Sequence, residues 1–201
     1  MRVLIFWDSI AEWYYDCEKW WWPNRLKTSY WNTDRTREIW LAWICWDTAE
    51  DIIRRLEFTT KDFIEKFKED VSFIFAVWIN DSALINMTSE LYNIKVFQEN
   101  IEIIINMSQK FQPKNITFLW LTSVDENLTN PLIVSKTWKC YQNDRIREFN
   151  AIIKSTAKKE KCDYIDVIWL LNDDDLDDGI HPNAKWHEKI FKHVQNYLEL
   201  S

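Results

Sequence analysis

Apolar runs and amphipathic stretches alternate along the whole chain. Short runs rich in β-branched and aromatic residues predict buried strands, and apolar positions three or four residues apart predict helices with one buried face. The strand pattern occurs in five segments, 3–6, 38–44, 71–77, 116–121 and 164–168. The helical pattern occurs in the segments 11–30 (helix followed by loop), 47–56, 61–68, 96–111, 145–159 and 184–198.

This order of elements predicts an α/β fold. Strands that alternate with helices form right-handed β-α-β crossovers, which build a parallel sheet covered by helices on both faces. A length of 201 residues suits one domain, and no linker or repeat divides it. We therefore expect a single domain, residues 1–201, around a five-stranded parallel sheet whose site lies beyond the carboxyl ends of the strands.

Charge and composition exclude several classes of protein. A net charge of −7 without a basic stripe argues against nucleic-acid binding. The first apolar run is about five residues, too short for a signal peptide, and no stretch reaches the roughly 18 residues of a membrane span. The scattered cysteines (Cys17, Cys45, Cys140 and Cys162) have no metal-binding spacing. We expect a cytoplasmic protein with reduced thiols and no metal or cofactor.

Tryptophan and glycine occur in unusual numbers. The chain has 14 Trp and one Gly, where about 7% Gly, or roughly 14 residues, is ordinary. Trp7 and Trp78 follow apolar runs at places where a strand turns, and such turns favour glycine. Most of the tryptophans therefore occupy positions typical of glycine.

Polar residues that suit acyl transfer follow three of the predicted strands. Ser9 comes after the first strand, Asn80 after the third, and Asp178 and His181 after the last. Together they offer a nucleophile, an amide donor, an orienting carboxylate and a base. Each alone is more often an N-cap, a turn or a solvated loop residue. Their occurrence at one end of the predicted sheet favours a shared site.

Four short blocks carry a resemblance to a known family. Segment 6–13 reads FWDSIAEW, 43–48 reads WICWDT, 77–81 reads VWIND and 178–183 reads DGIHPN. In this order they resemble the blocks of the SGNH (GDSL-type) esterases and lipases, with Trp where that family has Gly in the first three. The fourth block matches D-G-x-H-P-N without change. The blocks span nearly the whole chain.

The resemblance implies a three-layer α/β/α sandwich and a Ser–His–Asp mechanism that cleaves carboxylic esters. Ser9 would be the nucleophile, His181 the general base and Asp178 its orienting partner. The oxyanion hole would combine the N–H groups of Ser9 and Trp46 with the side-chain amide of Asn80. The substrate would be a small-molecule ester, with acetylated sugars, lysophospholipids and thioesters all open.

Trp46 stands where the family has Gly in its oxyanion hole, so its side chain is expected to obstruct the acyl group and lower activity. A non-catalytic binding or regulatory domain on the same fold is therefore the alternative. Glycine-like surroundings occur at Trp7, Trp13, Trp40, Trp43, Trp46, Trp78, Trp120 and Trp186, and at one or two of residues 20–22. Trp31, Trp138 and Trp169 have ordinary surroundings. A gene whose UGA codons encode glycine, translated with UGA as tryptophan, would produce this pattern, and deliberate engineering is the rival explanation.

Overall fold

The computed structural model covers the full chain. It describes residues 1–9, 20–34, 36–67, 70–86, 89–90, 93–119, 122–132, 138–170, 176 and 178–200. Two of the glycine-like positions, Trp13 and Trp120, lie outside these residues, as does the first part of the helix predicted for 11–30.

A five-stranded parallel sheet forms the centre of the molecule, as the sequence predicts. Its strand order is β2-β1-β3-β6-β8. The strands are β1 (Arg2–Trp7), β2 (Glu38–Trp43), β3 (Val71–Ala76), β6 (Ile116–Leu119) and β8 (Asp163–Ile165). Trp7, at the end of β1, is level with Trp43 of β2 and Ala76 of β3. The carboxyl ends of these three neighbouring strands therefore lie along one edge of the sheet.

Helices cover both faces of the sheet and complete a three-layer α/β/α sandwich. They are α1 (Trp22–Thr33), α2 (Ala49–Phe67), α3 (Ile94–Gln109), α4 (Glu126–Thr129), α5 (Asn143–Lys159) and α6 (Ala184–Leu200). Helix α3 packs against α2 and α5, and α1 packs against α6. The chain moves one way across the sheet from β1 to β2 and the other way through the later strands. Right-handed crossovers therefore place these two groups of helices on opposite faces.

The structure departs from the predicted elements in several places. Helix α1 occupies the second part of segment 11–30, which was expected to be loop, and the short helix α4 was not predicted. Helix α2 is continuous, although segments 47–56 and 61–68 read as separate helices, because Thr60 is buried in line with Leu56 and Phe63. The last strand ends at Ile165, and a 3₁₀ turn follows over Ile168–Leu170. A small antiparallel sheet was not predicted, since strands of two residues leave no periodic pattern. It consists of β4 (Leu84–Ile85), β5 (Ser89–Glu90) and β7 (Lys139–Cys140), in the order β5-β4-β7.

Several of the tryptophans at glycine-like positions are poorly accommodated by the backbone or by the core, whereas Trp40 and Trp43 lie in β2 without positive φ. Trp20, Trp46 and Trp78 have φ values of 68°, 68° and 137°, in the region that favours glycine. The wholly or nearly buried indoles of Trp7, Trp78 and Trp186 have N–H groups without a hydrogen-bond acceptor among the described residues. A buried unsatisfied donor costs about 1–3 kcal/mol.

Trp138 departs from the sequence interpretation, which counted it among the ordinary tryptophans. Its φ is 51°, so its backbone also favours glycine. Sequence context missed it because Trp138, the residue before β7, lies in a segment with no recognisable strand pattern. By contrast, Trp31 lies within α1 and Trp169 within the 3₁₀ turn.

Candidate active site

The first two polar segments meet at the carboxyl edge of the central sheet. Asp8 and Ser9 directly follow β1, and Asn80 lies in the turn after the neighbouring strand β3. All three are buried, Ser9 being 5% exposed and Asn80 1%. The Asn80 Nδ2 atom lies 3.4 Å from Asp8 Oδ2. Pairing of β1 with β3 thus brings residues some 70 positions apart in sequence into contact.

Asn80 is held by hydrogen bonds on both sides of its amide. Its Nδ2 donates to the Asp47 carbonyl oxygen at 3.1 Å, and its Oδ1 accepts from the Tyr141 hydroxyl at 3.3 Å. Tyr141 is fully buried and follows β7 of the small sheet. These partners assign which side of the amide carries the donor, so the Asn80 N–H groups are directed at the Asp47 carbonyl oxygen and at Asp8, the residue before Ser9.

The loop from β2 to α2 carries Trp46, the third residue of a β-turn. The Asp47 N–H donates to the Ile44 carbonyl oxygen at 3.3 Å, which closes the turn. The third position of such turns favours glycine when φ is positive, as it is here. The Trp46 indole is 46% exposed, and the Lys139 Nζ lies 4.6 Å from its ring centroid. Burial lowers the pKa of Lys139, although the carboxylates of Asp8 and Asp81 act against this.

Asp178 and His181 form a hydrogen-bonded pair in the loop before α6. Asp178 Oδ2 lies 2.6 Å from His181 Nδ1, and Asp178 Oδ1 accepts from the backbone N–H groups of Ile180 (3.0 Å) and His181 (2.7 Å). Both side chains are less than 10% exposed. Burial by itself raises the pKa of Asp178, but these hydrogen bonds and the His181 charge outweigh it and hold that pKa below its usual value. The carboxylate therefore stays ionised and fixes the imidazole through Nδ1.

Gly179 allows this loop to form against the rest of the protein. Its φ is 88°, and a Cβ atom there would lie 2.6 Å from Leu128 Cβ. Its carbonyl oxygen accepts from the Asp125 N–H at 2.8 Å. Asp125 lies in the segment that follows β6, the neighbour of β3, so the His181 loop is anchored near the same edge of the sheet.

Asp81 and Arg55 support the site, and sequence reasoning assigned neither a role. Asp81 accepts from the Ala49 N–H through Oδ1 and Oδ2 at 3.0 and 3.1 Å, which satisfies the first N–H of α2. Desolvation raises the pKa of this fully buried carboxyl well above its usual value. Arg55 bonds to Asp47 across the loop. No sequence signal marks the Asp81–Ala49 contact, because it joins segments 32 residues apart. The eight-residue spacing of Asp47 and Arg55 matches no pairing rule within a helix.

The part of the chain that the structure describes has neither a metal-binding cluster nor a membrane-spanning helix. No group of three or more His, Cys, Asp and Glu side chains there is placed to hold a metal ion. The helices described include none that is long and apolar enough to cross a bilayer.

The chain is similar to known proteins in its structure, although comparison of its sequence gives no match. No protein-family model and no curated protein matches the chain. An acetyl xylan esterase superposes with a TM-score of 0.71 at 17% identity, over 98% of this chain and 99% of that one. A lipase/acylhydrolase from Enterococcus faecalis gives 0.70 at 17% identity, over 98% and 94%. A GDSL-like lipase from Bacteroides thetaiotaomicron gives 0.71 at 14% identity, over 98% and 87%. The chain thus has the α/β/α fold of these GDSL-type lipase, acylhydrolase and esterase structures, which confirms the fold expected from its resemblance to the SGNH hydrolases.

Proposed function

We propose that this protein is an SGNH-type serine hydrolase that cleaves carboxylic esters through an acyl-enzyme. The buried Asp178–His181 pair is the observation that carries the proposal, because a carboxylate 2.6 Å from Nδ1 orients the imidazole and stabilises the imidazolium that forms when His181 acts as a base. The names of the similar structures, which include esterases and acylhydrolases, support the same reaction class.

In the proposed mechanism the Ser9 hydroxyl attacks the ester carbonyl carbon while His181 Nε2 takes its proton. The tetrahedral oxyanion is stabilised by the N–H groups of Ser9 and residue 46 and by the Asn80 amide. His181 then protonates the leaving alcohol as the carbonyl re-forms, which yields the acyl-enzyme. Water, deprotonated by the same imidazole, attacks the acyl carbon; the bond to Ser9 Oγ then breaks as the imidazolium returns its proton to Oγ, which releases the carboxylic acid and restores the enzyme. No cofactor is needed, and the substrate is a small-molecule acyl or acetyl ester, a lysophospholipid or a thioester.

A non-catalytic binding domain on this fold is the second candidate, and the Trp46 indole favours it. The indole is attached to the residue whose N–H would stabilise the oxyanion, and it lies under the Lys139 ammonium. A bulky ring on this residue would crowd an acyl group bound at the N–H. The two candidates therefore differ in whether Ser9 reacts.

We also propose that several tryptophans stand for glycines of the native protein. Positive φ at Trp20, Trp46 and Trp78 and unpaired buried indole N–H groups at Trp7 and Trp186 support this. The codons provide the test: UGA at these positions is expected, whereas UGG at Trp46 and Trp78 would refute the proposal and favour engineering.

Ester hydrolysis should be tested on the chain with all 14 tryptophans and on a version with glycine at the glycine-like positions. Hydrolysis of a short p-nitrophenyl ester and labelling by a fluorophosphonate probe are both expected in the glycine version. Ser9→Ala should abolish both, while Ser155→Ala, which changes an exposed serine of α5, should abolish neither. Full hydrolysis by Ser9→Ala would refute the catalytic assignment, and absence of labelling in the glycine version would favour the binding domain.

A further inference from the structure

The Arg55 guanidinium contacts three parts of the candidate site. Its Nε and Nη2 atoms lie 2.8 and 2.6 Å from Asp47 Oδ2. The Nη2 atom also donates to the Ala42 carbonyl oxygen at 3.1 Å, near the end of β2. The guanidinium carbon lies 5.2 Å from the ring centroid of Phe6, which precedes the Asp8–Ser9 segment. One side chain of α2 thus contacts β1, β2 and the loop between β2 and α2.

Asp47 connects Arg55 to the turn of residues 44–47, which we call the oxyanion loop because it carries the residue-46 N–H. Its side chain bonds to Arg55, its carbonyl oxygen accepts from Asn80 Nδ2 and its N–H closes the turn that contains Trp46. The side chain of Asp47 is 5% exposed and that of Arg55 is 16% exposed. Burial raises the pKa of Asp47, although Arg55 opposes this. Without the guanidinium, the carboxylate would have to take up a proton or move toward water, and the turn would move with it.

We propose that Arg55 is a positioning residue that sets the direction of the residue-46 N–H for transition-state binding. This inference rests on the proposed function, because it assigns Arg55 a part in that same reaction. Arg55 does not touch the reacting atoms; it acts through Asp47. Because the oxyanion is fully charged only in the transition state, misplacement of this donor lowers kcat and leaves KM nearly unchanged.

The neighbouring residue Arg54 offers a matched control on the same helix. Its side chain is 67% exposed and pairs with Glu50 and Asp51 on the surface of α2. Loss of a surface pair of this kind has little effect on stability. Arg54→Met and Arg55→Met therefore remove the same chemical group one position apart, and only the second removes a contact with the oxyanion loop.

The experiment measures kcat, KM and melting temperature for p-nitrophenyl acetate hydrolysis, in the version of the chain that hydrolyses the ester. Arg55→Met is expected to lower kcat by about 10- to 100-fold, since an ångström of misplacement costs up to about 100-fold. The KM of Arg55→Met should stay within about twofold of the parent value, and so should the kcat and KM of Arg54→Met. Arg55→Lys and Asp47→Asn, which preserve more of the local packing, provide the same comparison if Arg55→Met fails to fold.

The inference would be overturned if the variants at Arg55 and Asp47 fold and their kcat lies within about twofold of the kcat of Arg54→Met. A rise in KM at unchanged kcat would also overturn it, because it would assign Arg55 to substrate binding. The parallel Ser9→Ala variant separates the two proposals. If Ser9→Ala abolishes activity and the Arg55 variants keep their kcat, only the positioning role fails; if Ser9→Ala stays fully active, the proposed function itself fails.

Discussion

Replacing Trp46 by glycine should stabilise the protein, although it removes a large aromatic side chain. The backbone at Trp46 has a φ of 68°, and a residue with a Cβ atom in this left-handed region costs about 1–2 kcal/mol relative to glycine. The indole is half exposed, and its described ring partner is the Lys139 ammonium at 4.6 Å. That interaction contributes about 0.5–1 kcal/mol. The difference predicts that Trp46→Gly raises the free energy of unfolding by about 0.5–1 kcal/mol.

Trp31→Gly is the matched control, because Trp31 is 64% exposed but lies within α1. Glycine in a helix is about 0.5 kcal/mol less favourable than tryptophan, so this variant should lose stability. The two variants should therefore differ by about 1–1.5 kcal/mol, or roughly 2–6 °C in melting temperature for a domain of this size. Thermal unfolding followed by far-ultraviolet circular dichroism measures the difference without relying on tryptophan fluorescence. A melting temperature for Trp46→Gly at or below that of Trp31→Gly would refute the argument from backbone strain.

Three further predictions concern the loops of the site. Gly179→Ala should destabilise the fold by about 2–5 kcal/mol in urea unfolding, through backbone strain at φ 88° and a Cβ placed 2.6 Å from Leu128 Cβ; a loss below 0.5 kcal/mol would contradict this. Tyr141→Phe should lower kcat by about 2- to 10-fold at unchanged KM, because it removes the hydrogen bond to Asn80 Oδ1; an unchanged kcat would count against an oriented amide. The pKa of Asp178 is lower in the folded protein than its usual value of 3.8, which applies to the unfolded chain. The ionised carboxylate therefore makes its full contribution to stability above pH 3.8, and this contribution is lost as the pH falls through the pKa of the folded state. The stability difference between the parent and Asp178→Asn should accordingly shrink below about pH 4, and a difference independent of pH from 2 to 7 would contradict the shift.

Much of the architecture could be predicted because its signals are local. Residues 71–76 form a buried run of β-branched and aromatic side chains, and β3 occupies that run. The block at 178–183 contains the site's Asp–His pair within four residues, so a single loop forms it. The two-residue strands around Leu84 and Cys140 could not be predicted, since they exist only through pairing between segments more than 50 residues apart.

The same distinction applies to the tryptophans. Trp46 and Trp78 were recognised as glycine-like from the motif around them, and both have positive φ. Trp138 has positive φ as well but has no motif beside it. A backbone conformation outside a known motif is decided by how the flanking segments pack, and composition does not report that.

The order of apolar and polar residues was sufficient to identify the parallel α/β sheet and the candidate residues Ser9, Asn80, Asp178 and His181. Periodicity and short motifs depend on neighbours within a few positions, so they can be read along the chain. Only the tertiary structure showed that Asp47 lies between the Asn80 amide and the Arg55 guanidinium. Strand pairing brings such distant residues within hydrogen-bond distance, and no local pattern encodes which of them will meet.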